Sequence, residues 1–255
     1  MNSNLSGRVV TLLNELKSYH VRASETDRII PIWLPYISIV LTLIAILIGG
    51  ITIIAGDILI GIGLTTFAII AGIAGAIIFI LVLYKLINRL NKHSERTIMF
   101  YSIIANILDE IRSPNATNFK LRVDELKVTT KERNPLLWII LVLIFPLLLF
   151  YVYHFLNKDF YKHSYREYLL LDILDNEFKR ANISTVLNPE ELYRVPSRNT
   201  ILFIILTIIT LGFFKLYWTY TLVNDPNKHF KSHSILEKKI IDGFTEMISK
   251  LKEAS

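Results

Sequence analysis

An almost uncharged run of residues constrains the fold of this chain more than any other feature. From Trp33 to Tyr84, Asp57 is the only charged residue. This run is about twice the ~20 apolar residues that cross a ~30 Å hydrocarbon layer as one helix. Two shorter hydrophobic segments follow, Leu136–Leu156 with no Asp, Glu, Lys or Arg and Thr200–Leu222 with one lysine. The sequence therefore predicts an all-α integral membrane protein with four hydrophobic segments.

The chain also contains an internal repeat. The dipeptide His-Ser occurs at residues 93, 163 and 233, with a spacing of 70 residues each time. In each copy it follows a hydrophobic segment and precedes an amphipathic helix, which indicates three repeats of one insertion unit. The predicted organisation begins with an N-terminal amphipathic helix (1–27) and unit one (28–113), which has a two-pass hairpin at 33–86 and a helix at 94–111. A linker (114–132) leads to unit two (133–180), which is hydrophobic at 136–156 and has a helix at 164–179. A second linker (181–197) leads to unit three (198–255), which is hydrophobic at 200–222 and has a helix at 234–251.

The serine of each repeat is predicted to cap the helix that follows. Ser164 and Ser234 are each followed three residues later by an acid, Glu167 and Glu237, which is the pattern of a capping box. Ser94 lacks that acid but precedes Glu95, which favours the positive end of a helix. Arginines and aromatic residues that flank the hydrophobic segments are expected at the membrane interface. These residues are Arg28, Trp33, Arg133, Trp138, Arg198 and Trp218.

The three repeated histidines, His93, His163 and His233, admit two interpretations. Equivalent positions in three similar units could converge on one axis and bind Zn²⁺ through three imidazoles. Alternatively, each histidine is a polar residue at the membrane–water boundary, just before the helix cap. Because no acidic ligand follows at a fixed metal-binding spacing, the second interpretation is preferred. The sequence thus predicts no bound metal and no cofactor.

Two membrane topologies fit the hydrophobic segments. If the second and third units each cross once, the chain has four crossings, and residues 157–199 lie opposite every other soluble segment. If those two segments are re-entrant hairpins, the chain has two crossings and all soluble segments share one side. Pro146 and the run Thr210-Leu211-Gly212 lie near the middle of the two segments, where such a turn would have to be. The count of Lys and Arg in the loops does not decide between the two.

Nothing in the sequence identifies an enzyme, because no Ser/His/Asp arrangement or phosphate-binding loop is present. We expect a non-enzymatic structural or scaffolding protein, or a subunit of a membrane complex, with a membrane-shaping role if the hairpins are re-entrant. The alternative is a small channel or transporter that uses the glycine-rich first hairpin with Lys215 or Asp57. The expected partners are the lipid bilayer and a second copy or other membrane subunits, and not nucleic acid, although the net charge is +6. The expected location is the cell membrane, with most soluble segments in the cytoplasm.

The third hydrophobic segment contains a recognisable motif. Thr210 and Gly212 are followed by an aromatic pair and then by Tyr217-Trp218. This arrangement resembles a family of small, uncharacterised prokaryotic membrane proteins with a Thr-x-Gly…Tyr-Trp hydrophobic segment. The resemblance covers some 20–25 residues, and the second unit shows only a degenerate copy. It implies a prokaryotic membrane protein and brings no activity with it.

Overall fold

The computed structural model describes residues 3–54 and 58–253, and these residues form helices, turns and loops with no strand. Two stretches, Leu34–Thr52 and Ile60–Glu110, are long and apolar enough to cross a membrane. Asp57 lies outside the described residues. The helices are α1 (Ser3–Val21), α2 (Ala23–Thr26), α3 (Leu34–Ile54), α4 (Ile58–Glu110), α5 (Ala116–Thr129), α6 (Pro135–Ile144), α7 (Leu148–Arg180), α8 (Thr200–Ile209) and α9 (Phe213–Glu253), with a 3-10 turn at Pro189–Glu191.

Helices α3 and α4 pack against each other as the first of three helical hairpins. Gly75 permits their close approach, because a Cβ atom there would lie 3.0 Å from the Thr42 hydroxyl and 3.1 Å from the Ser38 carbonyl oxygen. Such distances are shorter than ordinary van der Waals contact. Because Gly75 has no Cβ atom, the two helices can approach each other this closely.

The second and third hairpins divide hydrophobic segments that the sequence presents as continuous. Helix α6 ends just before Pro146, whose ring cannot continue a helix. The ring of Trp138 in α6 lies 5.2 Å from that of Phe155 in α7, so α6 folds back along α7. Helix α8 likewise folds back along α9, where Phe203 and Trp218 are 5.3 Å apart. Its turn includes Gly212, whose φ of 94° falls in the left-handed region that glycine adopts at little cost.

The long second helices of the hairpins, α4, α7 and α9, run in the same direction. On the hairpin side of residues 93, 163 and 233, they share an apolar core that includes Leu90, Phe160 and Phe230. On the far side they share a second core that includes residues such as Phe100, Leu170 and Ile240. The start of α4 and the tips of the second and third hairpins therefore lie at the same end of the molecule, and the histidines form a polar layer between two apolar cores.

Several predicted boundaries are wrong. The amphipathic helices expected at 94–111, 164–179 and 234–251 are not separate, because α4, α7 and α9 continue through the His-Ser positions without a break. The predicted linker 114–132 contains α5, which buries Phe119, Val123 and Leu126 against the far core. Those three apolar positions at i, i+4 and i+7 form a stripe on one face of a helix, which is the sequence signal for α5 within the predicted linker.

A proline inside α9 creates a contact between the first and third units. Pro226 has no backbone N–H, so the carbonyl of Leu222 cannot receive its usual helical hydrogen bond. The buried guanidinium of Arg89 donates to that carbonyl over 2.5 Å and to the Asn227 side-chain oxygen over 3.0 Å. The side chain of Asn227 in turn bonds both backbone polar groups of Ile30. The carbonyl that Pro226 leaves free thus helps to join α4 and α9 to residues 27–33, the N-terminal segment that precedes α3.

Candidate functional site

Four buried histidines meet where α4, α7 and α9 pass one another. They are His93, His163, His229 and His233, and none has more than 4% of its surface exposed. The structure therefore brings together the three repeated histidines and buries them inside the protein. They meet because these positions lie at the same height on three helices that run in the same direction.

Two glutamates lie one helical turn after two of these histidines. Glu167 follows His163 on α7 and Glu237 follows His233 on α9, and residues four apart share one face of a helix. Both carboxylates are fully buried. Ring nitrogens surround Glu167: Nε2 of His233 lies 2.8 Å from one carboxylate oxygen and Nε2 of His229 lies 2.9 Å from the other. Glu167 is therefore the centre of the histidine layer.

A second set of polar groups contacts the histidine layer at its edge. Asp27, just before the first hairpin, places one carboxylate oxygen 3.0 Å from Nδ1 of His93 and the other 2.7 Å from Arg96. Arg96 also donates to Glu237 over 2.5 Å. On the opposite side, Nδ1 of His229 lies 3.0 Å from the backbone carbonyl of Tyr193. The layer thus includes groups from the N-terminal segment, from all three long helices and from residues 181–199 between α7 and α8, which form the second loop.

Burial and neighbouring charge act in opposite directions on these groups. Burial lowers the pKa of His163 to about 3 despite the nearby Glu167, so this ring is neutral. Burial also opposes the charge on His233, but the carboxylates of Glu167 and Glu237 outweigh it and raise the pKa of His233 to about 9. Burial alone would raise the pKa of Glu167, yet the surrounding histidines hold it well below its usual range. The layer therefore contains an ionised carboxylate beside at least one neutral imidazole.

The predicted helix caps are wrong. Ser94, Ser164 and Ser234 lie inside α4, α7 and α9, where the preceding turn already supplies acceptors for their backbone N–H groups. The Ser164 hydroxyl instead donates to the carbonyl of Tyr161 and accepts from the backbone N–H of Val195, which fixes the second loop. Glu167 and Glu237, expected to complete two of the caps, face the histidines.

The predicted interface residues have different surroundings. Arg133 and Arg198, which precede α6 and α8, form ion pairs with Asp159 and Asp225. Trp33 is largely exposed, Trp138 packs on Tyr151 and Phe155, and Arg28 bonds the carbonyl of Glu25. Trp218 contradicts the prediction, because it is completely buried between the second and third hairpins beside Tyr153 and Phe203. Its position near the end of a hydrophobic segment did not indicate that α9 runs on past it into the protein interior.

Sequence reasoning did not identify His229, Asp27 or Arg96 as members of the site. One signal for His229 was available, since His229 and His233 form a His-x-x-x-His pair, and residues at that spacing lie on one helical face. Asp27 and Arg96 had no comparable signal, because only the packing of the N-terminal segment on α4 brings them together. Two groups of potential metal ligands result, one of His93, His163, Glu167 and His229 and the other of Asp27, His93 and His233.

Comparison with known proteins yields one partial match. Residues 198–240 match the model of a domain of unknown function, DUF4234. The matched range covers the third hairpin and the part of α9 that carries His229, His233 and Glu237. No curated protein and no solved structure matches the chain.

Proposed function

We propose that this chain is a non-enzymatic integral membrane protein, a scaffold or a subunit of a membrane assembly, that inserts three helical hairpins from one side. One observation carries the proposal, namely the apolar and exposed tips of the second and third hairpins. Leu147 is 79% exposed at one tip, and Leu211 is 91% exposed at the other. Exposed apolar surface of this kind is typical of a membrane or protein contact. Because each tip follows a short apolar helix, lipid is the partner that fits best.

The lengths of the helices support two crossings and two shorter insertions. Helix α3 has 21 residues, and at ~1.5 Å per residue it spans roughly 30 Å, the thickness of the hydrocarbon layer. Helices α6 and α8 have 10 residues each and span only about 15 Å. On this account the first hairpin crosses the bilayer twice, whereas the second and third reach its middle and return.

The turns at the two short tips meet the main requirement for backbone inside lipid, which is that its polar groups find partners within the protein. At the second tip, the N–H of Leu148 donates to the carbonyl of Phe145 over 2.9 Å. At the third, the N–H of Gly212 donates to the carbonyl of Thr207 over 2.7 Å. The Thr210 hydroxyl also accepts from the N–H of Phe214 over 2.8 Å.

Ion pairs at the base of the short hairpins fit the level of the lipid headgroups. Arg133 pairs with Asp159 just before α6 begins, and Arg198 pairs with Asp225 just before α8 begins. Partly exposed charges are tolerated at the headgroup level but not in the hydrocarbon. These pairs therefore favour a membrane surface close to the first residues of α6 and α8.

Insertion from one side has a mechanical consequence. Two hairpins that enter only half of the bilayer add volume to one leaflet and not to the other. Shallow insertion of this kind favours curvature, as it does for amphipathic helices that lie at the interface. The proposed scaffold would therefore bend the membrane that it occupies.

Reconstitution of the full chain into liposomes tests this role. We expect the wild-type protein to convert spherical vesicles into tubules or small vesicles as the protein density rises. The double variant Leu147→Asp with Leu211→Asp should lose this effect, since a carboxylate in the hydrocarbon costs roughly 2.5–3.5 kcal/mol per site on insertion scales. Val186→Asp is the matched control, because Val186 is also 75% exposed but lies in the second loop. Vesicles unchanged by the wild-type protein would contradict the membrane-shaping role.

A transport role has one supporting observation. Lys215, at the start of α9, lines a small cavity between the first and third hairpins together with residues that include Ser38, Phe79 and Thr219. A cation in such a place is a candidate for an ion or substrate path. Flux of ions or solutes in proteoliposomes that is lost in the Lys215→Leu variant would favour a transporter. Equal flux in that variant would show that Lys215 does not take part in transport.

A further inference from the structure

The donor atoms of four side chains in the histidine layer have the spacing of a metal site. One atom each from His93, His163, His229 and Glu167 all lie within 4.8 Å of one another. Nε2 of His229 is 3.2 Å from Nε2 of His93 and 2.9 Å from Oε2 of Glu167, whereas Nε2 of His163 is 3.6 Å from Oε1 of the same carboxylate. In a tetrahedral zinc site with bonds of ~2.0–2.1 Å, neighbouring donors are about 3.3 Å apart. The observed separations lie on both sides of that value.

The protonation of two rings requires a cation between them. Nδ1 of His229 faces the backbone carbonyl of Tyr193, which can only accept, so this nitrogen carries a proton. Nδ1 of His93 lies 3.0 Å from the carboxylate of Asp27, a group that only accepts, and this favours a proton on that nitrogen as well. A neutral imidazole has only one N–H, so in their neutral forms both rings turn an Nε2 lone pair towards each other, and His229 turns the same lone pair towards the carboxylate of Glu167. At 3.2 Å this contact is repulsive unless a proton or a metal ion is shared.

His163 distinguishes the metal ion from the proton. Neither of its ring nitrogens has a hydrogen-bond partner within the described part of the chain, although the side chain is almost completely buried. Its contact with Glu167 at 3.6 Å is too long for a hydrogen bond. A proton shared by His93 and His229 would leave His163 unsatisfied, whereas a metal ion accepts a third imidazole and a carboxylate as well.

We propose that His93, His163, His229 and Glu167 bind one divalent transition-metal ion, for which Zn²⁺ is the best fit. Three imidazoles and one carboxylate complete a tetrahedral set, and a site closed by four protein ligands is typical of structural zinc. Partners outside the ligands fit as well. Asp27 and the Tyr193 carbonyl face Nδ1 of two of the rings, and Nε2 of His233 lies 2.8 Å from Oε1 of Glu167.

The proposed ion would join the three repeats. His93 belongs to α4, His163 and Glu167 to α7, and His229 to α9. The site lies on the long helices beyond the parts that pair with α3, α6 and α8, between the two apolar cores. It therefore does not depend on the proposed membrane-shaping role. A small cavity lined by His163, Asp159, Arg166 and Thr130 adjoins the ligands and offers a route for the ion.

Metal analysis of the full chain tests the site. The protein is purified in detergent without a histidine tag, stripped with a chelator, and titrated with Zn²⁺ alone or with Co²⁺ alone. We expect one metal ion per chain, visible bands of tetrahedral Co²⁺, and a higher thermal midpoint with Zn²⁺ than without it. His163→Ala should weaken Zn²⁺ binding by at least about 100-fold, since it removes a direct ligand and effects of up to that size follow from outer partners alone.

The control removes a histidine that is not in the layer. His154 lies on α7, nine residues before His163, and its ring bonds Thr200, so His154→Ala should bind Zn²⁺ like the wild type. Glu167→Gln provides a second ligand variant, and circular dichroism checks that each variant is folded. Substoichiometric binding by the wild type, or equal binding by wild type and His163→Ala, would overturn the proposal. Either result would mean an adventitious metal only and a layer held by shared protons.

Discussion

Nε2 of His93 lies 3.2 Å from Nε2 of His229, although the two residues are 136 positions apart in the chain. This contact joins α4 to α9 in the middle of the molecule, between two apolar cores. The polar groups that surround it are buried, so each of them is costly to leave without a partner. The stability of the bundle should therefore depend strongly on the residues that hold this layer.

Replacement of Arg96 tests that dependence. The buried Arg96 guanidinium pairs with Asp27 and Glu237, so Arg96→Leu leaves two carboxylates without their cation. Removal of one partner from a buried ion pair destabilises a protein by about 3–5 kcal/mol. We expect a loss of this size in the free energy of unfolding, measured by circular dichroism in detergent with increasing denaturant.

The control for Arg96 is an arginine at the surface. Arg122 pairs with Glu125 on α5, and both side chains are more than 40% exposed. Exposed pairs contribute about 0–1 kcal/mol, so Arg122→Leu should change the free energy of unfolding little. If both variants lost the same stability, the buried network would have no special role.

The sequence predicted the architecture better than the site. Hydrophobic length predicted the helices, whereas the 70-residue spacing offered the convergence of His93, His163 and His233 only as the interpretation that was not preferred. The capping prediction failed because a Ser-x-x-Glu pattern looks the same at a helix start and in a helix interior. Only the packing of three helices shows that Glu167 faces histidines. Asp27 could not have been assigned, since its contacts come from a segment remote in sequence from all of its partners.

Gly243 is predicted to be intolerant of even a methyl group. A Cβ at this position in α9 would overlap the ring of Phe178 on α7. That ring is buried and packs edge-to-face on Phe244 at 5.3 Å, so it has little room to move. Gly243→Ala should destabilise the protein, because overpacking typically costs 1–3 kcal/mol and alanine regains at most ~1 kcal/mol in helix propensity.

The matched variant is Gly7→Ala in α1, where a Cβ would contact nothing within 4 Å. At this position the only expected effect is the higher helix propensity of alanine, so the thermal midpoint should rise slightly. A midpoint for Gly243→Ala equal to or above that of the wild type would show that Phe178 can move aside.

One acidic side chain should make stability fall at low pH. Hydrogen bonds from Lys250 and from Ser184 lower the pKa of Glu246 to about 2. Because this folded-state pKa lies below the unfolded value of about 4.3, the contribution is fully present above that pH and is lost as the pH falls towards 2. The thermal midpoint of Glu246→Gln should therefore vary less between pH 5 and pH 2 than that of the wild type.

Glu15→Gln, on the exposed face of α1, is the control for this titration. Its midpoint should follow the wild-type curve over the whole range. Parallel curves for Glu246→Gln and the wild type would indicate that the contact of Glu246 with the second loop does not contribute to the pH dependence of the thermal midpoint.

The side of the membrane from which the hairpins insert can be measured by the accessibility of single cysteines. The native chain has no cysteine, so Asn118→Cys in α5 and Val186→Cys in the second loop, both exposed positions, each provide a unique label site. A membrane-impermeant maleimide is applied to intact cells and to inside-out vesicles. If all hairpins insert from one side, both positions are labelled from the same side. Labelling from opposite sides would establish four crossings and contradict the re-entrant hairpins.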